Sequence, residues 1–478
     1  MIQAWNQKSK ALLLAFFTFI LLVATGCSAT STTEKEATKK EKKEVNVQPL
    51  VEEDVVYASF KDAVKYMDGK YEVDGDAITA TIKKDTIKAN VKKQEATVNE
   101  TNVQMEVAPK VKDNEVYVPL SFLNEVLDAR VTYEEEAKKV SILTELPLEF
   151  TEAFSITYLK GSLKKVVDAE KRTLILVPEG KEVPKEYAKE TVITIPVKNT
   201  LLGSTTQASL LRPMGDFSSI TSVTTKADQW NIEEIKTGLE NGSIAYVGEN
   251  NAPDYEAITK LQPELTFLYT GPTGLQDMAK KLDELNLNYA VDNEYLEEDP
   301  FGRMEWMKFL ATFYDKEDEV SVYFDEAVKR VEDMEKKIEG KKKTKVAWGI
   351  VYDGEAYVPA ADSYVATMIE RAGGEYLFQD VKTDNGKISI EEFYAQSKDA
   401  DVLIYSSMHS YSPTLEGIVE ATPILGKLDV VKEKNVWCFH PDYWQSIDKT
   451  DELIIDLVEI FHPGTTNEEV KHYIHYTE

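Results

Sequence analysis

Short apolar runs rich in Val, Ile and Tyr alternate with segments of helical periodicity from about Leu148 to the end of the chain. In the helical segments, apolar residues recur three or four positions apart, as on one face of an amphipathic helix. Regular alternation of strands and helices is typical of parallel sheets whose strands are connected by crossover helices. The pattern therefore predicts an α/β fold for the larger part of this 478-residue chain.

The alternation divides into two lobes. The first has predicted strands at residues 192–197, 244–247 and 265–269, with helices at 207–214, 232–240, 255–261 and 275–285. The second begins at Lys345, with further strands at 402–405 and 435–439, and with helices at 363–372, 390–396, 414–421 and 450–461. Open α/β sheets bind ligands at the carboxyl ends of their strands, so we expect an interlobe cleft lined by strand-end loops.

Residues 317–338 separate the two lobes. Apolar side chains that include Val320, Phe324 and Val331 recur there at helical spacing. A helix of about 22 residues is roughly 33 Å long, which is enough to reach across two lobes. We interpret this segment as an interlobe helix; on periodicity alone, an ordinary surface helix is the alternative.

An internal repeat marks a smaller domain before the lobes. Residues 56–82 and 116–143 each begin with Val-Tyr, continue into a short amphipathic helix and close with an alternating strand. The predicted apolar helix faces are Phe60, Ala63, Val64 and Met67 in the first copy and Leu120, Leu123, Val126 and Leu127 in the second. The apolar strand faces are Ile78, Ala80 and Ile82 and, in the second copy, Val140 and Ile142. The repeat predicts a small α+β domain at residues 50–146.

The N-terminal region predicts export. Lys8 and Lys10 precede an apolar run, residues 11–24. A membrane-spanning helix needs about 20 apolar residues, so this run is short for a permanent anchor and has the length of a signal peptide. We predict a signal peptide at residues 1–26; an uncleaved anchor is the alternative.

The run is followed by Thr-Gly-Cys, ending at Cys27, which resembles a bacterial lipobox. Ala24 stands where that motif usually has Leu. We predict acylation of Cys27, which supplies the two lipid chains needed for stable attachment. Residues 27–49, which are polar after the cysteine, are expected to form a disordered tether.

The charge of the chain limits the classes of binding partner, and its cysteine content limits the disulfides that it can form. The formal net charge is −29, so nucleic acid phosphates and anionic lipid surfaces are expected to repel the chain. Two cysteines do not make a disulfide framework. Cys438, in the apolar run Val-Trp-Cys-Phe, is expected to be buried as packing.

The lobes contain five motifs in a fixed order: YEAITKLQPELTFLYTG (255–271), YLEEDPFGRMEWMKFLATFY (295–314), SYVATMIERAGGEYLF (363–378), ISIEEFYAQSKDADVLIY (388–405) and VEIFHPG (458–464). They resemble the substrate-binding proteins of ABC importers for ferric siderophores, haem and cobalamin. The resemblance implies a class III substrate-binding protein, which has two Rossmann-like lobes joined by a long backbone helix and is not an enzyme. The implied divisions are an N-lobe at 147–301, the interlobe helix at 302–340, a C-lobe at 341–464 and a C-terminal tail at 465–478.

The second copy of the repeat, VYVPLSFLNEVLDARVTYEEEAKKVSIL, resembles the copper amine oxidase N-terminal-like domain. That name implies no catalytic copper here, because residues 50–146 contain neither His nor Cys. The resemblance implies a spacer or an interaction module.

The resemblance also implies two docking glutamates. In this family one exposed Glu on each lobe forms salt bridges with arginines of the membrane permease, and the motifs place these residues at Glu256 and Glu391. Each is expected in the first turn of a helix, where the helix dipole favours a carboxylate. Acids at such positions are also ordinary helix caps, which is the alternative, and Glu392 competes with Glu391.

The motif Gly-Arg-Met-Glu-Trp lies where the chain leaves the first lobe. Arg303 and Glu305 within it are expected to form an ion pair that fixes the lobe junction. A direct contact of Arg303 with the ligand is the alternative.

The predicted strand-end loops contain no Lys or Arg; they are residues 203–207, 248–253, 270–274, 353–364, 406–413 and 440–445. A polyanionic ligand such as ferric citrate is therefore disfavoured, unless Arg212 or Arg303 turns into the cleft. Aromatic side chains suit a flat or bulky chelate, namely a neutral hydroxamate-type siderophore, a corrinoid or a haem; ordinary packing is the alternative. The candidate ligand-binding residues are Thr205, Tyr269, Tyr357, Tyr364, Met408, His409, Tyr411, His440, Tyr443 and Trp444.

All five histidines lie in the second lobe or its tail. A bare zinc ion needs three or four ligands, and receptors for such ions usually draw them from both lobes. We therefore expect neither a bare metal ion nor a cofactor. Completion of a ferric chelate by His409 or His440 stays open.

These observations predict a monomeric, lipid-anchored receptor on the extracellular face of the cytoplasmic membrane, of the Gram-positive type. It would bind a metal chelate and deliver it to an ABC permease and its ATPase, and the stiff interlobe helix predicts modest closure. A secreted α/β enzyme is the first alternative, although the sequence has no G-x-S-x-G, P-loop or H-E-x-x-H motif. A cell-wall adhesion protein is the second, favoured by the repeat domain.

Overall fold

The computed structural model describes residues 47, 49–52, 54–270, 275–382 and 386–477. The described chain forms two compact units, one within residues 35–196 and the other within residues 197–478. The internal repeat belongs to the first unit, and the second unit contains two α/β lobes.

The first unit is built mainly from antiparallel strands. Its strands are β1 (Pro49–Glu52), β2 (Val55–Ser59), β3 (Lys70–Asp74), β4 (Ala77–Ile82), β5 (Asp85–Asn90), β6 (Glu95–Val98), β7 (Thr101–Gln104), β8 (Lys110–Lys112), β9 (Glu115–Pro119), β10 (Arg130–Glu134), β11 (Lys139–Leu143), β12 (Ser155–Leu159), β13 (Leu163–Val167), β14 (Thr173–Pro178) and β15 (Thr191–Ile195). Its helices are α1 (Phe60–Tyr66) and α2 (Leu120–Val126). The sheets have the strand orders β1-β2-β9-β8, β3-β4-β5-β6-β7, β10-β11 and β12-β13-β14-β15.

The two copies of the internal repeat share one core. Their first strands, β2 and β9, pair antiparallel with Ala58 opposite Val118. Phe60 of α1 and Phe122 of α2 pack edge to face with their ring centroids 5.9 Å apart. The predicted helix and strand faces all lie in this core, with Leu120 half-buried at its edge. The copies differ in that β4 belongs to a five-stranded sheet, whereas β11 pairs with β10 in a two-stranded one.

Residues 147–196 are a correction to the predicted N-lobe. The strand predicted at 192–197 is present as β15, but it pairs parallel with β14 inside the first unit. Leu163, Ile175 and Val177 form a small core in the same sheet. The prediction failed because an apolar pattern indicates that a strand is buried but not which sheet it joins. The second unit begins at residue 197 and not at residue 147.

The N-lobe of the second unit has a five-stranded parallel sheet. Its strands are β16 (Thr200–Leu202), β17 (Ile220–Val223), β18 (Ala245–Tyr246), β19 (Gly248–Glu249), β20 (Ala252–Pro253), β21 (Leu265–Leu268) and β22 (Tyr289–Val291). Its helices are α3 (Thr205–Leu211), α4 (Glu233–Asn241), α5 (Tyr255–Leu261) and α6 (Leu275–Leu285). The sheet order is β18-β17-β16-β21-β22, and β19 and β20 form a separate hairpin. Strands β16, β17 and β22 were not predicted, because strands of three or four residues show no alternation.

Two consecutive helices, α7 (Pro300–Thr312) and α8 (Glu317–Ile338), follow the N-lobe, so the single interlobe helix expected at 302–340 is corrected to two helices. Helix α8 has the predicted bounds, and Val320, Phe324 and Val331 on its predicted apolar face are buried. Helix α7 was not predicted, because all 13 of its residues are buried and the sequence shows no amphipathic period. Helix α7 contacts α3 and α8.

The C-lobe has a mixed sheet. Its strands are β23 (Thr344–Tyr352), β24 (Glu355–Tyr357), β25 (Gly374–Tyr376), β26 (Lys387–Ile388), β27 (Val402–Met408), β28 (Val436–Phe439) and β29 (Tyr473–His475). Its helices are α9 (Tyr364–Arg371), α10 (Ile390–Gln396), α11 (Leu415–Ala421), α12 (Asp429–Lys432) and α13 (Thr450–Phe461). The order is β26-β24-β23-β27-β28-β29, with β25 also paired to β23. Residues 465–477 of the predicted tail are part of this lobe, because β29 pairs antiparallel with β28.

Helix α7 carries a buried ion pair between Glu305 and Lys308. The ammonium of Lys308 lies 2.9 Å from the carboxylate of Glu305, and the two residues are 4% and 0% exposed respectively. The ammonium also lies 4.2 Å from the ring centroid of Phe324 on α8. A buried charge is tolerated when its partner is present, and it destabilises the fold when the partner is removed.

We therefore predict that Glu305→Ala lowers the free energy of unfolding by about 3 kcal/mol, because it leaves the Lys308 ammonium buried without this carboxylate. The double variant Glu305→Leu/Lys308→Met should recover most of that loss, since it removes both charges and keeps apolar volume. Urea denaturation followed by circular dichroism measures both. Asp333→Ala, which breaks two exposed ion pairs on α8, is the control and should lose much less. Equal losses at positions 305 and 333 would contradict the prediction.

Candidate functional site

Polar residues follow the strands of the N-lobe where they end at one edge of the sheet. Residues 203–204 follow β16, residues 269–270 follow β21 and residues 292–293 follow β22. The carboxyl ends of parallel strands meet at the same edge, where open α/β sheets bind ligands. This edge is the N-lobe side of the predicted cleft.

The loops after β16 and β21 are tied together by Asn250. Its Nδ2 donates to the carbonyl O of Gly203 and to the hydroxyl of Tyr269, each at 3.0 Å. The ring of Tyr269 packs edge-on against Tyr295, with the centroids 5.9 Å apart. A side chain is excluded at Gly203, because a Cβ there would lie 2.9 Å from the carbonyl O of Phe267. These contacts fix the orientation of Tyr269 at the sheet edge.

Thr205 is the first residue of α3, and a capping box holds it there. The hydroxyl of Ser204 accepts a hydrogen bond from the amide of Thr206 at 3.2 Å. The side chain of Gln207 accepts from the amides of Gly203 and Ser204 at 3.0 and 3.1 Å. These bonds satisfy the free amides of the helix start and leave Thr205 half-buried beside them.

Arg303 is buried where α7 meets both lobes. Its Nε and Nη2 donate to Oε2 of Glu294 at 3.0 and 2.8 Å. Its guanidinium lies 4.3 Å from the ring centroid of Tyr364, the first residue of α9. Arg303 and Glu305 do not pair with each other as expected, because Glu305 pairs with Lys308. One helical turn, from Glu305 to Lys308, satisfies that carboxylate locally and leaves Arg303 for Glu294.

Asp292 lies next to this pair. Its Oδ1 accepts a hydrogen bond from the amide of Glu294 at 3.1 Å. Burial, together with the charge of Glu294, raises the pKa of Asp292 well above its usual value. The guanidinium of Arg303 acts in the opposite direction and lowers the pKa of Asp292, but burial outweighs it.

An aromatic cluster of the C-lobe faces Arg303. Tyr443 stacks on Phe439 with the ring centroids 4.0 Å apart, and Trp444 packs edge-on to Tyr443 at 5.1 Å. Arg303, Tyr364, Tyr443 and Trp444 line a common cavity of about 20 Å³, which holds about one water molecule. The structure thus brings together three of the predicted aromatic residues at the lobe junction.

The other predicted C-lobe residues lie apart from that cavity. Met408 ends β27, and the amide of His409 donates to the carbonyl O of Phe439 at 2.9 Å. Tyr411 is 38% exposed on the following turn. Tyr357 is half-buried on β24. The structure places these residues on β24 and at the end of β27.

His440 begins a network of His, Asp and Glu side chains that was not predicted from the sequence. Its Nδ1 lies 2.5 Å from Oδ1 of Asp442, which lies 3.8 Å from Nδ1 of His472. Nε2 of His472 lies 3.5 Å from Glu452. Burial alone would lower the pKa of His472, but the carboxylates of Asp442 and Glu452 outweigh it and raise that pKa to about 9. Within the described ranges, no three His, Cys, Asp or Glu side chains are arranged to hold a metal ion.

The loop after β17, residues 224–232, was not among the predicted strand-end loops, because β17 was not recognised. It carries a cation, Lys226, whose ammonium pairs with the carboxylate of Glu249. Arg212, which follows α3, pairs with Asp448 of the C-lobe at 3.2 Å. The six loops predicted from the sequence contain no Lys or Arg, but the loop after β17 adds Lys226 and the end of α3 adds Arg212, and acids compensate both cations.

The two predicted docking glutamates are exposed in the first turns of short helices. Glu256 is in α5, which is capped by Asp254, and Glu391 is in α10. The carboxylate of the competing residue, Glu392, accepts a hydrogen bond from Gln396 at 3.3 Å. Glu391 stays the docking prediction, with Glu392, which is also exposed, as its competitor.

Some predictions fall on residues outside the described ranges, namely the signal peptide at 1–26, Cys27, residues 28–46 of the predicted tether and residues 271–274 of one loop. The end of the predicted tether is corrected, because Val47 is buried in the core of the first unit and β1 begins at Pro49. Among the residues that are described, no helix has both the length and the apolar character to cross a membrane. Cys438 is buried as predicted, and burial raises the pKa of its thiol to about 11.

Comparison with known proteins gives two family matches. Residues 202–443 match the periplasmic binding protein family, and residues 37–142 match the copper amine oxidase N-terminal domain. A lipoprotein of Methanocaldococcus jannaschii is 34% identical over 318 residues, which cover 64% of this chain and 76% of the relative. The chain therefore belongs to the periplasmic binding protein family, a class of solute-binding proteins and not of enzymes. Both resemblances inferred from the motifs are confirmed, as is the fold class of two α/β lobes joined by a long helix.

Two solved structures illustrate the structural similarity. A periplasmic solute binding protein from Veillonella parvula aligns with a TM-score of 0.49 and 16% identity, covering 64% of this chain and 88% of its own. A periplasmic heme binding protein from Pseudomonas aeruginosa aligns with a TM-score of 0.46 and 14% identity, covering 59% of this chain and 98% of its own.

The charge on His472 gives a pH-dependent prediction. Its pKa is about 9 in the folded protein and about 6.5 when unfolded, so its contribution is fully present below pH 6.5 and is lost as the pH rises through 9. Wild type should lose roughly 2 to 3 kcal/mol of stability over this window, whereas His472→Gln should not show that loss. Urea denaturation at pH 6 to 9.5 measures it. The control is His475→Gln, at an exposed residue of β29, the strand that directly follows His472, and it should keep the wild-type slope. A wild-type slope in His472→Gln would refute the assignment.

Proposed function

We propose that this protein is an extracytoplasmic receptor of an ABC importer, which holds a metal chelate between its lobes and delivers it to a permease and its ATPase. Membership of the periplasmic binding protein family supports the receptor role. The five motifs of the lobes support delivery of an iron or corrinoid chelate. The observation that carries the proposal is the match of residues 202–443 to the periplasmic binding protein family, and Tyr364, Tyr443 and Trp444 mark the lobe junction as the place to test.

The charges near the junction favour a ligand with little net negative charge. Arg303 is engaged by Glu294, and Arg212 is engaged by Asp448. A polyanionic chelate would have to separate these pairs and leave the acids without their partners, which is costly for buried groups. Aromatic faces instead supply contact area to a flat or bulky ligand without any charge. We therefore propose a neutral ferric hydroxamate, a corrinoid or a haem as the ligand class.

Attachment to the membrane is proposed through Cys27. A relative that aligns with this chain over 76% of its own length is named a lipoprotein. Two acyl chains on Cys27 would hold the receptor stably at the extracellular face of the cytoplasmic membrane. The domain that matches the copper amine oxidase N-terminal domain would then lie between the lipid and the receptor lobes in sequence, as a spacer or interaction module.

Ligand titration tests the proposal. We expect a ferric trihydroxamate, cobalamin or haem to quench the intrinsic tryptophan fluorescence of the purified protein with a dissociation constant in the micromolar range or below, because Trp444 lies at the lobe junction. Ferric citrate should give at least tenfold weaker binding. Trp444→Phe should remove most of the quenching, whereas Trp437→Phe, on β28, should retain it. Absence of binding to all three chelates, or turnover of a small substrate, would overturn the proposal.

A transport assay tests the docking glutamates. The double variant Glu256→Lys/Glu391→Lys should abolish uptake of the bound chelate by cells and leave its dissociation constant within twofold of wild type, because both residues are exposed on their helices. Reversed charges would repel permease arginines instead of pairing with them.

Glu416→Lys is the matched control for that experiment. Glu416 is an exposed acid in the first turn of α11, so it has the same local setting as the docking candidates. Normal uptake by this variant would show that helix capping alone does not explain the loss. A loss of ligand affinity in the double variant would instead assign Glu256 or Glu391 to the cleft.

A further inference from the structure

Gln445 of the C-lobe binds the main chain of the N-lobe. Its Nε2 donates to the carbonyl O of Gln229 at 2.8 Å. Its Oε1 accepts from the amides of Asn231 and Ile232 at 2.9 and 3.3 Å. The residue is 6% exposed, so these bonds are protected from water. One side-chain amide thus uses both its donor and its acceptor across the two lobes.

Three further contacts surround this one. Nη2 of Arg212 donates to the main-chain O of Gln445 at 2.6 Å, and Nη1 lies 3.2 Å from the carboxylate of Asp448. Nδ2 of Asn231 donates to the carbonyl O of Pro441 at 2.8 Å. We call the whole set the interlobe clasp; it comprises Arg212, Gln229, Asn231 and Ile232 of the N-lobe and Pro441, Gln445 and Asp448 of the C-lobe.

The clasp shares a tight turn with the aromatic cluster. Tyr443, Trp444 and Gln445 form one turn of 3-10 helix, and the amide of Gln445 donates to the carbonyl O of Asp442 at 2.7 Å. Because these residues are consecutive in a rigid turn, a displacement of Gln445 moves Trp444 with it. The side chain that holds the N-lobe and the side chain at the lobe junction are therefore mechanically linked.

We propose that Gln445 is a positioning residue that couples the relative position of the lobes to the placement of Trp444. One consequence, that the clasp sets the affinity for the chelate, rests on the proposed function; the coupling itself does not. Opening the lobes at this point breaks the bonds of a buried amide, and each bond lost without replacement is costly. Only Asn and Gln carry a donor and an acceptor on one amide, so neither Glu nor Met reproduces the clasp at this length.

The first test uses the ligand-free protein. Spin labels on Glu240 of α4 and Glu420 of α11, which are exposed on different lobes, report the interlobe distance by pulsed electron paramagnetic resonance. We expect a broader distance distribution in Gln445→Met than in wild type, with Gln445→Glu also broadened because it loses the donor to Gln229. Acrylamide quenching of Trp444, obtained by difference from Trp444→Phe, should rise at least twofold in both variants.

Ser446→Ala is the matched control. The hydroxyl of Ser446 donates to the carbonyl O of Asp442 at 3.0 Å, which is a contact inside the C-lobe and the same turn. This variant should keep the wild-type distance distribution and quenching even where it lowers thermal stability. An unchanged distance distribution in Gln445→Met, or a broadened one with unchanged quenching of Trp444, would overturn the inference.

The second test uses a ferric trihydroxamate, cobalamin and haem as probes. Whichever of them binds wild type should bind Gln445→Met about tenfold more weakly, mainly through faster dissociation, and should bind Ser446→Ala as it binds wild type. Unchanged affinity in Gln445→Met would overturn the coupling to ligand binding. If none of the probes binds wild type, the proposed ligand class is wrong. The role of Gln445 in coupling the lobes to Trp444 is then tested by the measurements on the ligand-free protein alone.

Discussion

Helix α7 carries Arg303, Glu305 and Lys308 through the interior of the second unit, and each charge has a partner there. Without partners, buried ions of this kind would cost several kcal/mol each. The partners also fix the surroundings: Arg303 joins α7 to Glu294 beside the N-lobe sheet and to Tyr364 on α9 of the C-lobe. Because the same helix touches both lobes, the positions of the site residues depend on this charge pairing.

A helix could be predicted from the sequence when one of its faces is exposed to solvent and the other is buried. Helix α8 was predicted to the residue because one face is buried and the other is exposed, which produces a clear period in the sequence. Helix α7 escaped because every face is buried, and β16 and β17 escaped because they are short. The strand β15 was recognised but assigned to the wrong sheet, since its apolar pattern carries no information about its neighbours.

The residues of the site also divide into those that could be predicted from the sequence and those that could not. Tyr443 and Trp444 could be predicted because strand-end loops follow from the order of strands and helices. The partner of Arg303 and the clasp around Gln445 could not be. Gln445 binds main-chain groups more than 200 residues away, and main-chain groups are the same in every sequence. Contacts of that kind are visible only once the fold has brought the two segments together.

In the sequence, a ligand of low charge is favoured because the predicted strand-end loops lack Lys and Arg. In the structure, it is favoured because the cations near the cleft are paired with acids. Arg212, Arg303 and Lys226 are near the cleft, but each has an acid partner. Two features disfavour an anionic ligand. The anion must compete with the carboxylate that already pairs with each cation, and it must approach a chain whose net charge is −29. A neutral chelate meets neither obstacle and gains the aromatic surface. Selectivity for charge would then come from the pairing of the cations and not from their absence.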